Sequence, residues 1–152
     1  MENITTCQIC GRAIKAKNGL IAHHGYQRPG GGWQTASCWG ARWRPYEVAC
    51  DAIQPCIDSL NRYVEKQTED LNNLIKNPPE ALFKMRPGWK KPIRYERPEG
   101  FEAKDKPSYL PNSYEDEHNR QRGERRHNIK GATLTIIDLE KRLANWKGKE
   151  EA

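Results

Sequence analysis

The sequence predicts a mainly α-helical protein with a small N-terminal β-hairpin module. Two long helices are expected to form an antiparallel, coiled-coil-like hairpin, joined by a proline-rich extended segment. Two stretches carry apolar residues at alternating steps of three and four, which is the spacing of a helical seam. Seven of the ten prolines fall between these stretches, within residues 77–112. Near the N-terminus, an Asn-Gly pair lies between two short runs, which is typical of a tight hairpin turn.

The predicted hairpin turn is Asn18-Gly19, and both residue types tolerate the positive φ angles that a two-residue turn needs. This turn predicts that Ile14 faces His23 across an antiparallel ladder. It also predicts that Ala13 faces His24. The hairpin therefore folds the histidine pair back toward the segment that precedes it.

That preceding segment contains Cys7 and Cys10, whose spacing lets two thiolates bind one tetrahedral ion. Gly11 follows them, where the backbone must turn sharply. We therefore interpret residues 1–46 as a zinc-binding β-hairpin module. His23 shares one face of the hairpin with Ile14, Ala16 and Ile21, and burial of this face favours His23 as a ligand. Proximity to the cysteines favours His24 instead. The candidate metal ligands are Cys7, Cys10, His23, His24 and Cys38.

Three other interpretations of these residues are weaker. A redox-active cysteine pair belongs in a βαβ pattern, which this segment does not show. In the second interpretation, the cysteines are thiols that bind no metal, and the histidine pair is unrelated to them. An HNH-type nuclease uses a histidine to activate water beside a divalent metal, but the next Asn and His along the chain are Asn61 and His118, in other predicted elements. Acidic residues are also absent between Glu2 and Glu47. We expect no enzymatic activity.

The net charge of +6 is concentrated in the N-terminal module, where six Lys and Arg residues accompany Glu2 as the one acid. Such a surface attracts phosphates regardless of base sequence. Aromatic residues interleaved with the cations can stack on bases. We expect Trp33 and Trp39 to build the core of the module. The predicted nucleic-acid-binding surface consists of Lys15, Lys17, Arg28, Arg42, Trp43 and Arg44.

A family resemblance is carried by three runs, Cys7–Arg12 (C-x-x-C-G-R), Ile21–Arg42 (I-A-H-H-G-Y-x-R-P-G-x-G-W-x-T-x-S-C-x-G-A-R) and Pro45–Glu47 (P-Y-E). Together they resemble short, uncharacterised zinc-finger-like proteins of bacteriophages and prophages. The resemblance covers the first third of the chain. It implies a phage or mobile-element origin and a Cys3His zinc site, but no particular activity. Cys50 and Cys56 fall outside the pattern, so we expect them to be helix residues rather than ligands.

The first seam predicts a helix over residues 47–76. Pro45 suits a helix start, and Glu47 in the first turn favours the positive end of the helix dipole. Pro55 predicts a kink or a restart, and the Asn-Pro-Pro sequence at residues 77–79 ends the helix. The seam positions are Ile53, Ile57, Leu60, Val64, Gln67, Leu71 and Leu74.

Residues 77–112 predict an extended connector, since their prolines forbid a long helix and discourage strands. Large apolar side chains recur along this stretch, and we expect it to lie along the helices. A disordered segment with anchors for a partner protein is the alternative.

The second seam predicts a helix over residues 113–147, followed by a tail at 148–152. Asn112 or Ser113 suits the N-cap position, and acidic residues follow in the first turn. We expect His118 and His127 to be solvated. The two seams predict antiparallel pairing within the chain, and a homodimer through the same helices is the alternative. The second set of seam positions is Ile129, Ala132, Ile136, Leu139, Leu143 and Trp146.

Five cysteines are an odd number, which suits metal ligands in a reducing compartment better than a disulfide framework. Neither a basic apolar leader nor an apolar run of membrane-spanning length is present in the sequence. We expect a cytoplasmic protein, in the host cytoplasm if it is phage-encoded. The leading hypothesis is a non-enzymatic zinc-finger protein that binds nucleic acid, DNA in the first place. The alternative is a module that binds a host protein and inhibits or redirects its transcription or defence machinery.

Overall fold

The computed structural model describes residues 3–25, 36–105 and 110–148, and the chain divides into two compact units. The first unit is drawn from residues 1–61 and 134–152, and the second from residues 62–133. The described part of the chain is mixed α/β, with more strand than the mainly α prediction. Its elements are β1 (Ile4–Thr6), β2 (Ala13–Lys17), β3 (Leu20–Ile21), α1 (Ile53–Lys76), β4 (Ala81–Lys84), β5 (Ile93–Glu96) and α2 (Tyr114–Asn145).

The first sheet is an antiparallel meander in the order β1-β2-β3. Asn18 and Gly19 have φ angles of 54° and 77°, as a two-residue turn requires. Ala16 pairs with Ile21 across this turn, in the predicted register. The ladder of β2 and β3 ends at Ile21, so it does not include the predicted pairs of Ile14 with His23 and of Ala13 with His24. Strand β1 was not predicted, because three residues are too few to show an alternating pattern. It pairs with β2 at the end of the hairpin that lies away from the turn.

Helix α1 begins at Ile53, six residues later than predicted. Glu47 does not serve a helix start, because its carboxylate accepts hydrogen bonds of 2.9 and 3.1 Å from the backbone N–H of Thr6. Pro55 lies in the first turn of α1, where its missing N–H leaves no helical hydrogen bond unmade. Cys56 lies in α1 as predicted, whereas Cys50 precedes it.

The connector contains an antiparallel hairpin, although its prolines were expected to discourage strands. Leu82 of β4 pairs with Tyr95 of β5. The six prolines of the connector that the structure describes lie outside the two strands, and therefore none of them removes a hydrogen bond from the ladder. Leu82 and Tyr95 pack with Leu74, Phe101 and Tyr114 in a buried cluster of the second unit.

Helix α2 begins with a capped turn, because the Ser113 hydroxyl accepts a hydrogen bond of 3.2 Å from the backbone N–H of Asp116. The expectation that His118 is solvated was wrong. Glu117, His118 and Arg122 are buried in the second unit, whereas His127 is exposed. One arginine and one glutamine side chain donate to the Glu117 carboxylate, and His118 donates from Nε2 to the carbonyl of Leu74 at 2.9 Å.

Every position of the two predicted seams is buried or half-buried. Within the second unit, side chains connect α1 with α2 by hydrogen bonds. Asn128 donates to Gln67 at 3.3 Å, and His118 donates to the Leu74 carbonyl. Position 118 of α2 thus meets position 74 of α1, and position 128 meets position 67, so this pairing runs antiparallel.

In the first unit, the end of α2 is held by Tyr46. The Tyr46 hydroxyl donates to the Arg142 carbonyl at 2.6 Å, and the Trp146 indole N–H donates to the Tyr46 carbonyl at 2.7 Å. Neither described helix combines the length and the apolar character that crossing a membrane requires.

Candidate metal centre

The first pair of candidate ligands lies in the tight turn between β1 and β2. The backbone N–H of Cys7 donates to the Arg12 carbonyl, and the N–H of Gly11 donates to the Cys7 carbonyl, both at 3.0 Å. Gly11 has a φ of 69°, which explains the glycine at this position of the turn. The turn holds the thiols of Cys7 and Cys10 close together.

The second pair of candidate ligands is joined by backbone hydrogen bonds. The N–H of Cys38 donates to the His24 carbonyl at 2.7 Å, and Gly25 forms a bridge with Ser37. Ile21 of β3 exchanges backbone hydrogen bonds of 2.8 Å with the segment that follows Cys38. These bonds return the chain to the hairpin and place the imidazole and the thiol next to the first pair.

Four potential ligand atoms converge in this way. The Sγ atoms of Cys7, Cys10 and Cys38 and a ring nitrogen of His24 all lie within 4.8 Å of one another. The Sγ atoms of Cys7 and Cys38 are 4.0 Å apart, and Cys10 Sγ is 3.3 Å from His24 Nε2. Zinc bond lengths in a tetrahedral site place ligand atoms about 3.5–3.8 Å apart. The donor set and its spacing therefore fit one tetrahedral ion.

The two neighbouring histidines have different roles. His24 Nδ1 donates to the Ala22 carbonyl at 2.8 Å, which fixes the tautomer and leaves the Nε2 lone pair directed at the cluster. His23 is exposed, and both its nitrogens are engaged: Nε2 accepts from Arg42 at 3.0 Å, and Nδ1 lies 2.8 Å from the Ser37 hydroxyl. Of the five predicted ligands, the structure brings four together and leaves His23 outside.

Arg12 supplies positive charge at the edge of the cluster. Its guanidinium donates to the Gly25 carbonyl and to the Cys10 sulfur, and the bond to Cys10 raises the pKa of Arg12. The hydrogen bond from Cys38 lowers the pKa of Cys7, and the same bond raises the pKa of Cys38. Three thiolates and a neutral imidazole around a divalent ion carry a net charge of about −1, which Arg12 offsets.

Gly40 lies against the cluster, and no role for it was predicted from the sequence. A Cβ atom at this position would lie 2.2 Å from Cys7 Sγ, so no side chain fits there. The available sequence signal was its place two residues after Cys38, similar to that of Gly11 after Cys10. Cys56 is buried outside the cluster, and burial first and then the nearby Cys7 raise its pKa to about 11.

Gln8, between the two cysteines of the turn, connects the site to α1. Its side chain is fully buried. Its Oε1 accepts from the backbone N–H of Ala52 at 2.8 Å, and its Nε2 donates to the Arg44 carbonyl at 2.7 Å and to Asp51 at 3.0 Å. Ala52 immediately precedes α1, so the metal-site turn and the start of this helix share one buried side chain.

Four of the predicted nucleic-acid-binding residues are exposed. Lys15 and Lys17 are exposed on β2. Arg42 is exposed and donates to His23, while the exposed Arg44 forms an ion pair with Asp51 at 2.7 Å. Trp43 is half-buried. Arg28 lies outside the described residues.

The expectation for the tryptophans was wrong where the structure describes them. Trp39 is 47% exposed rather than a core residue. It directly follows the ligand Cys38, whose chain direction is set by the cluster, and this leaves the indole toward solvent. Trp33 lies outside the described residues.

No protein-family model, no curated protein and no solved structure matches this chain. The resemblance to phage zinc-finger-like proteins therefore stays a prediction from the sequence.

Proposed function

We propose that this is a non-enzymatic zinc protein whose metal centre organises a basic N-terminal head that binds nucleic acid. The observation that carries the proposal is the convergence of three thiols and one imidazole nitrogen within 4.8 Å. Three cysteines and one histidine are a ligand set typical of structural zinc. The resemblance to phage zinc-finger-like proteins supports the zinc site, though it implies no particular activity. In this proposal, DNA is the first candidate ligand and the host cytoplasm is the location.

The metal in this proposal is structural. Four protein side chains complete a tetrahedral site, which leaves no coordination position for a water nucleophile. His23, the residue that an HNH-type reaction would otherwise offer, is bonded to Arg42. These two points favour a binding protein over a metal nuclease.

The head contributes charge and one aromatic surface. Lys15 and Lys17 are exposed on the same strand, and Trp39 is exposed next to a ligand. Exposed cations attract phosphates, and an exposed indole can stack on a base. Arg42 and Arg44 add charge beside them, although each also bonds to a neighbouring side chain.

We further propose that α1 and α2 pair as an antiparallel, coiled-coil-like hairpin. The hydrogen bonds of Gln67 with Asn128 and of Leu74 with His118 support this pairing. So does the burial of both seams. A monomer by analytical ultracentrifugation is the expected result, because a seam used within the chain is not available for a homodimer.

The metal part of the proposal is tested by elemental analysis of the purified protein. We expect one zinc per chain, with loss of the metal in Cys38→Ser and His24→Ala. His23→Ala is the matched control, since it removes the adjacent imidazole, and it should retain zinc. A folded protein without zinc, or loss of metal in His23→Ala alone, would contradict the assignment.

The binding part is tested by fluorescence anisotropy with labelled DNA and RNA over a range of salt concentrations. We expect the double variant Lys15→Glu, Lys17→Glu to bind more weakly. The slope of log affinity against log salt should become shallower by about 0.7–0.9 for each phosphate that a lysine no longer neutralises. Reversal of Arg42 or Arg44 would also break the hydrogen bonds with His23 and Asp51.

The matched control for this experiment is Lys130→Glu, Lys141→Glu, which makes the same charge change at two exposed positions of α2. It should bind as the wild-type protein does. Affinity that is independent of salt and of Lys15 and Lys17 would refute the head as the binding surface. Recovery of a stable host-protein complex from nuclease-treated lysate would then favour the alternative, protein-binding function.

A further inference from the structure

The hairpin β4–β5 carries a second basic surface, which we call the basic hairpin and define as residues 83–94. This stretch contains five Lys and Arg residues and no acidic residue. It belongs to the second unit and shares no residue with the metal-centred head. The cations are Lys84, Arg86, Lys90, Lys91 and Arg94.

The two faces of the hairpin differ, as the alternation of side chains in a strand requires. Leu82 and Tyr95, which pair with each other, pack into the buried cluster. The next pair, Phe83 and Arg94, therefore lies on the opposite face. Phe83 is 50% exposed and Met85 56% exposed, so this face presents apolar side chains to solvent.

The tip of the hairpin is a defined turn. The backbone N–H of Trp89 donates to the Arg86 carbonyl at 3.1 Å, and Gly88 has a φ of 85°. Proline followed by a glycine with positive φ at the two central positions is the pattern of a type II turn. Pro87 and Gly88 thus hold Arg86 and Trp89 in fixed positions beside each other.

Two rings of the hairpin each have a guanidinium over them. The Arg94 guanidinium carbon lies 5.7 Å from the centre of the Phe83 ring, and that of Arg86 lies 5.4 Å from the Trp89 ring. Cation and ring at this distance attract each other weakly at exposed sites. The arrangement places a guanidinium, which can bind a phosphate, over an aromatic ring at two positions of one hairpin.

The acidic neighbours of these cations are few among the described residues. Arg94 forms an ion pair with Glu96 at 2.5 Å, and both side chains are more than half exposed. Exposed ion pairs contribute little to stability, so a phosphate can replace the Glu96 carboxylate at small cost. Lys84 lies near the buried Glu117. Arg86, Lys90 and Lys91 supply the remaining outward charge.

We propose that the basic hairpin binds single-stranded nucleic acid, with phosphates on Arg86, Lys90 and Arg94 and unpaired bases stacked on Phe83 and Trp89. Charge complementarity with the phosphate backbone selects an anionic polymer. The rings of Phe83 and Trp89 favour unpaired bases, because the faces of bases in a duplex are already stacked on one another. The inference goes beyond the metal-centred head and depends on different residues.

The charge arm of the test uses the full-length protein with its metal and a labelled oligo(dT). Arg86→Glu, Lys90→Glu should weaken binding at least about tenfold and make the log–log salt slope shallower by about 1.4, for two phosphates at about 0.7 each. The control is again Lys130→Glu, Lys141→Glu, which should remain within about twofold of wild type.

The ring arm separates stacking from charge. Phe83→Leu keeps an apolar side chain but removes the ring, and it should weaken oligo(dT) binding about fivefold or more without changing the salt slope. Met85→Leu alters an exposed apolar neighbour that has no ring, and it should bind as wild type does. Unchanged thermal unfolding of all variants establishes that the hairpin still folds.

The outcomes distinguish this inference from the proposed head. If the Lys15→Glu, Lys17→Glu variant loses binding and the hairpin variants bind as wild type does, the basic hairpin is not the binding surface and the N-terminal head is. Wild-type affinity in the head variants and in the hairpin variants overturns both binding surfaces. Equal affinity for duplex DNA of the same length overturns stacking on unpaired bases. Binding to phosphatidylserine vesicles that depends on the hairpin, without binding to oligo(dT), overturns nucleic acid as the ligand.

Discussion

The space beside the Cys7 thiol is filled by the backbone of Gly40. An added Cβ would lie 2.2 Å from Cys7 Sγ and 3.4 Å from Ile9. Gly40→Ala should therefore displace the Cys7 thiol and weaken metal binding by about tenfold or more, since ligand positions in metal sites tolerate little displacement. Competition with a chromogenic zinc chelator measures this change directly.

Gly123→Ala provides the matched control for this prediction. Gly123 lies in α2, and an added Cβ there meets no described atom within 4 Å. Alanine should leave metal affinity unchanged and stabilise the helix by up to about 1 kcal/mol. Equal zinc affinity of Gly40→Ala and wild type would show that the cluster is not packed against Gly40.

His118 is buried, although the sequence predicted that it is solvated. Desolvation lowers its pKa; the hydrogen bond to the Leu74 carbonyl raises it, and the charge of Arg122 lowers it further. Nδ1 finds no hydrogen-bond partner among the residues that the structure describes. Protonation there would place a second charge in a buried site that already holds Arg122, so the folded state favours neutral imidazole.

This environment makes stability depend on pH. Because the pKa of His118 is lower in the folded state, its contribution is complete above the unfolded pKa of about 6.5 and is lost as pH falls through the folded value. Denaturant unfolding at neutral pH and near pH 5 should show this loss in wild type. In His118→Gln, which keeps a donor for Leu74, the loss should be smaller by the His118 contribution. An identical pH dependence in both proteins would contradict a neutral, buried His118.

At the scale of elements, Gln8 joins the metal-site turn to the start of α1. Gln8→Ala removes the acceptor for the Ala52 N–H and a donor to the Arg44 carbonyl. A buried polar group left without a partner costs about 1–3 kcal/mol. We expect a loss of at least about 2 kcal/mol in the free energy of unfolding, measured by denaturant titration.

Gln54→Ala is the control of the same residue type. Gln54 is exposed in the first turn of α1, and its side chain donates to Asp58 at 2.8 Å. Its replacement should change the free energy of unfolding by less than about 0.5 kcal/mol. A Gln8→Ala variant as stable as Gln54→Ala would mean that the turn and the helix are not coupled through this side chain.

The hairpin β4–β5 shows why elements in the connector were harder to predict than the helices. Counting prolines over residues 77–112 suggested an extended chain, but their positions matter more than their number. Pro87 forms the turn and Pro92 precedes β5, so both help to build the hairpin. Its strands are four residues each, and one inward-facing pair, Leu82 and Tyr95, is too short a pattern to recognise in the sequence.

For the whole molecule, the two units should respond differently to metal removal. Structural zinc contributes about 10–16 kcal/mol in small zinc modules, which is comparable to the total stability of a domain. The second unit has its own buried cluster around Leu82 and Tyr114 and contains none of the candidate ligands. Chelation should therefore unfold the first unit and leave the second folded.

Hydrogen exchange with and without EDTA measures this response. Amides of β2 and of residues 53–61 should lose protection on chelation, whereas those of β4, β5 and residues 114–125 should keep it. Readdition of zinc should restore the protection. Equal loss of protection in both units would show that the chain folds as one cooperative body, and no change in either would contradict a structural metal.

Features that depend on local chemistry can be predicted from the sequence. The two-residue turn at Asn18-Gly19, the seams of the two helices and the candidate cysteine ligands follow from backbone preference, periodicity and spacing. The sequence also limits the candidate histidine ligand to His23 or His24. All of these can be deduced from residues close together in the chain.

Features that depend on residues far apart in the chain could be assigned from the folded structure alone. His24 rather than His23 joins the cluster because Ala22 and Cys10 orient its ring while Ser37 and Arg42 bond to the other imidazole. His118 is buried because Phe101 packs against its ring and the Leu74 carbonyl accepts its hydrogen bond. A polar side chain is placed by partners that satisfy its hydrogen bonds, and those partners are brought to it by the fold.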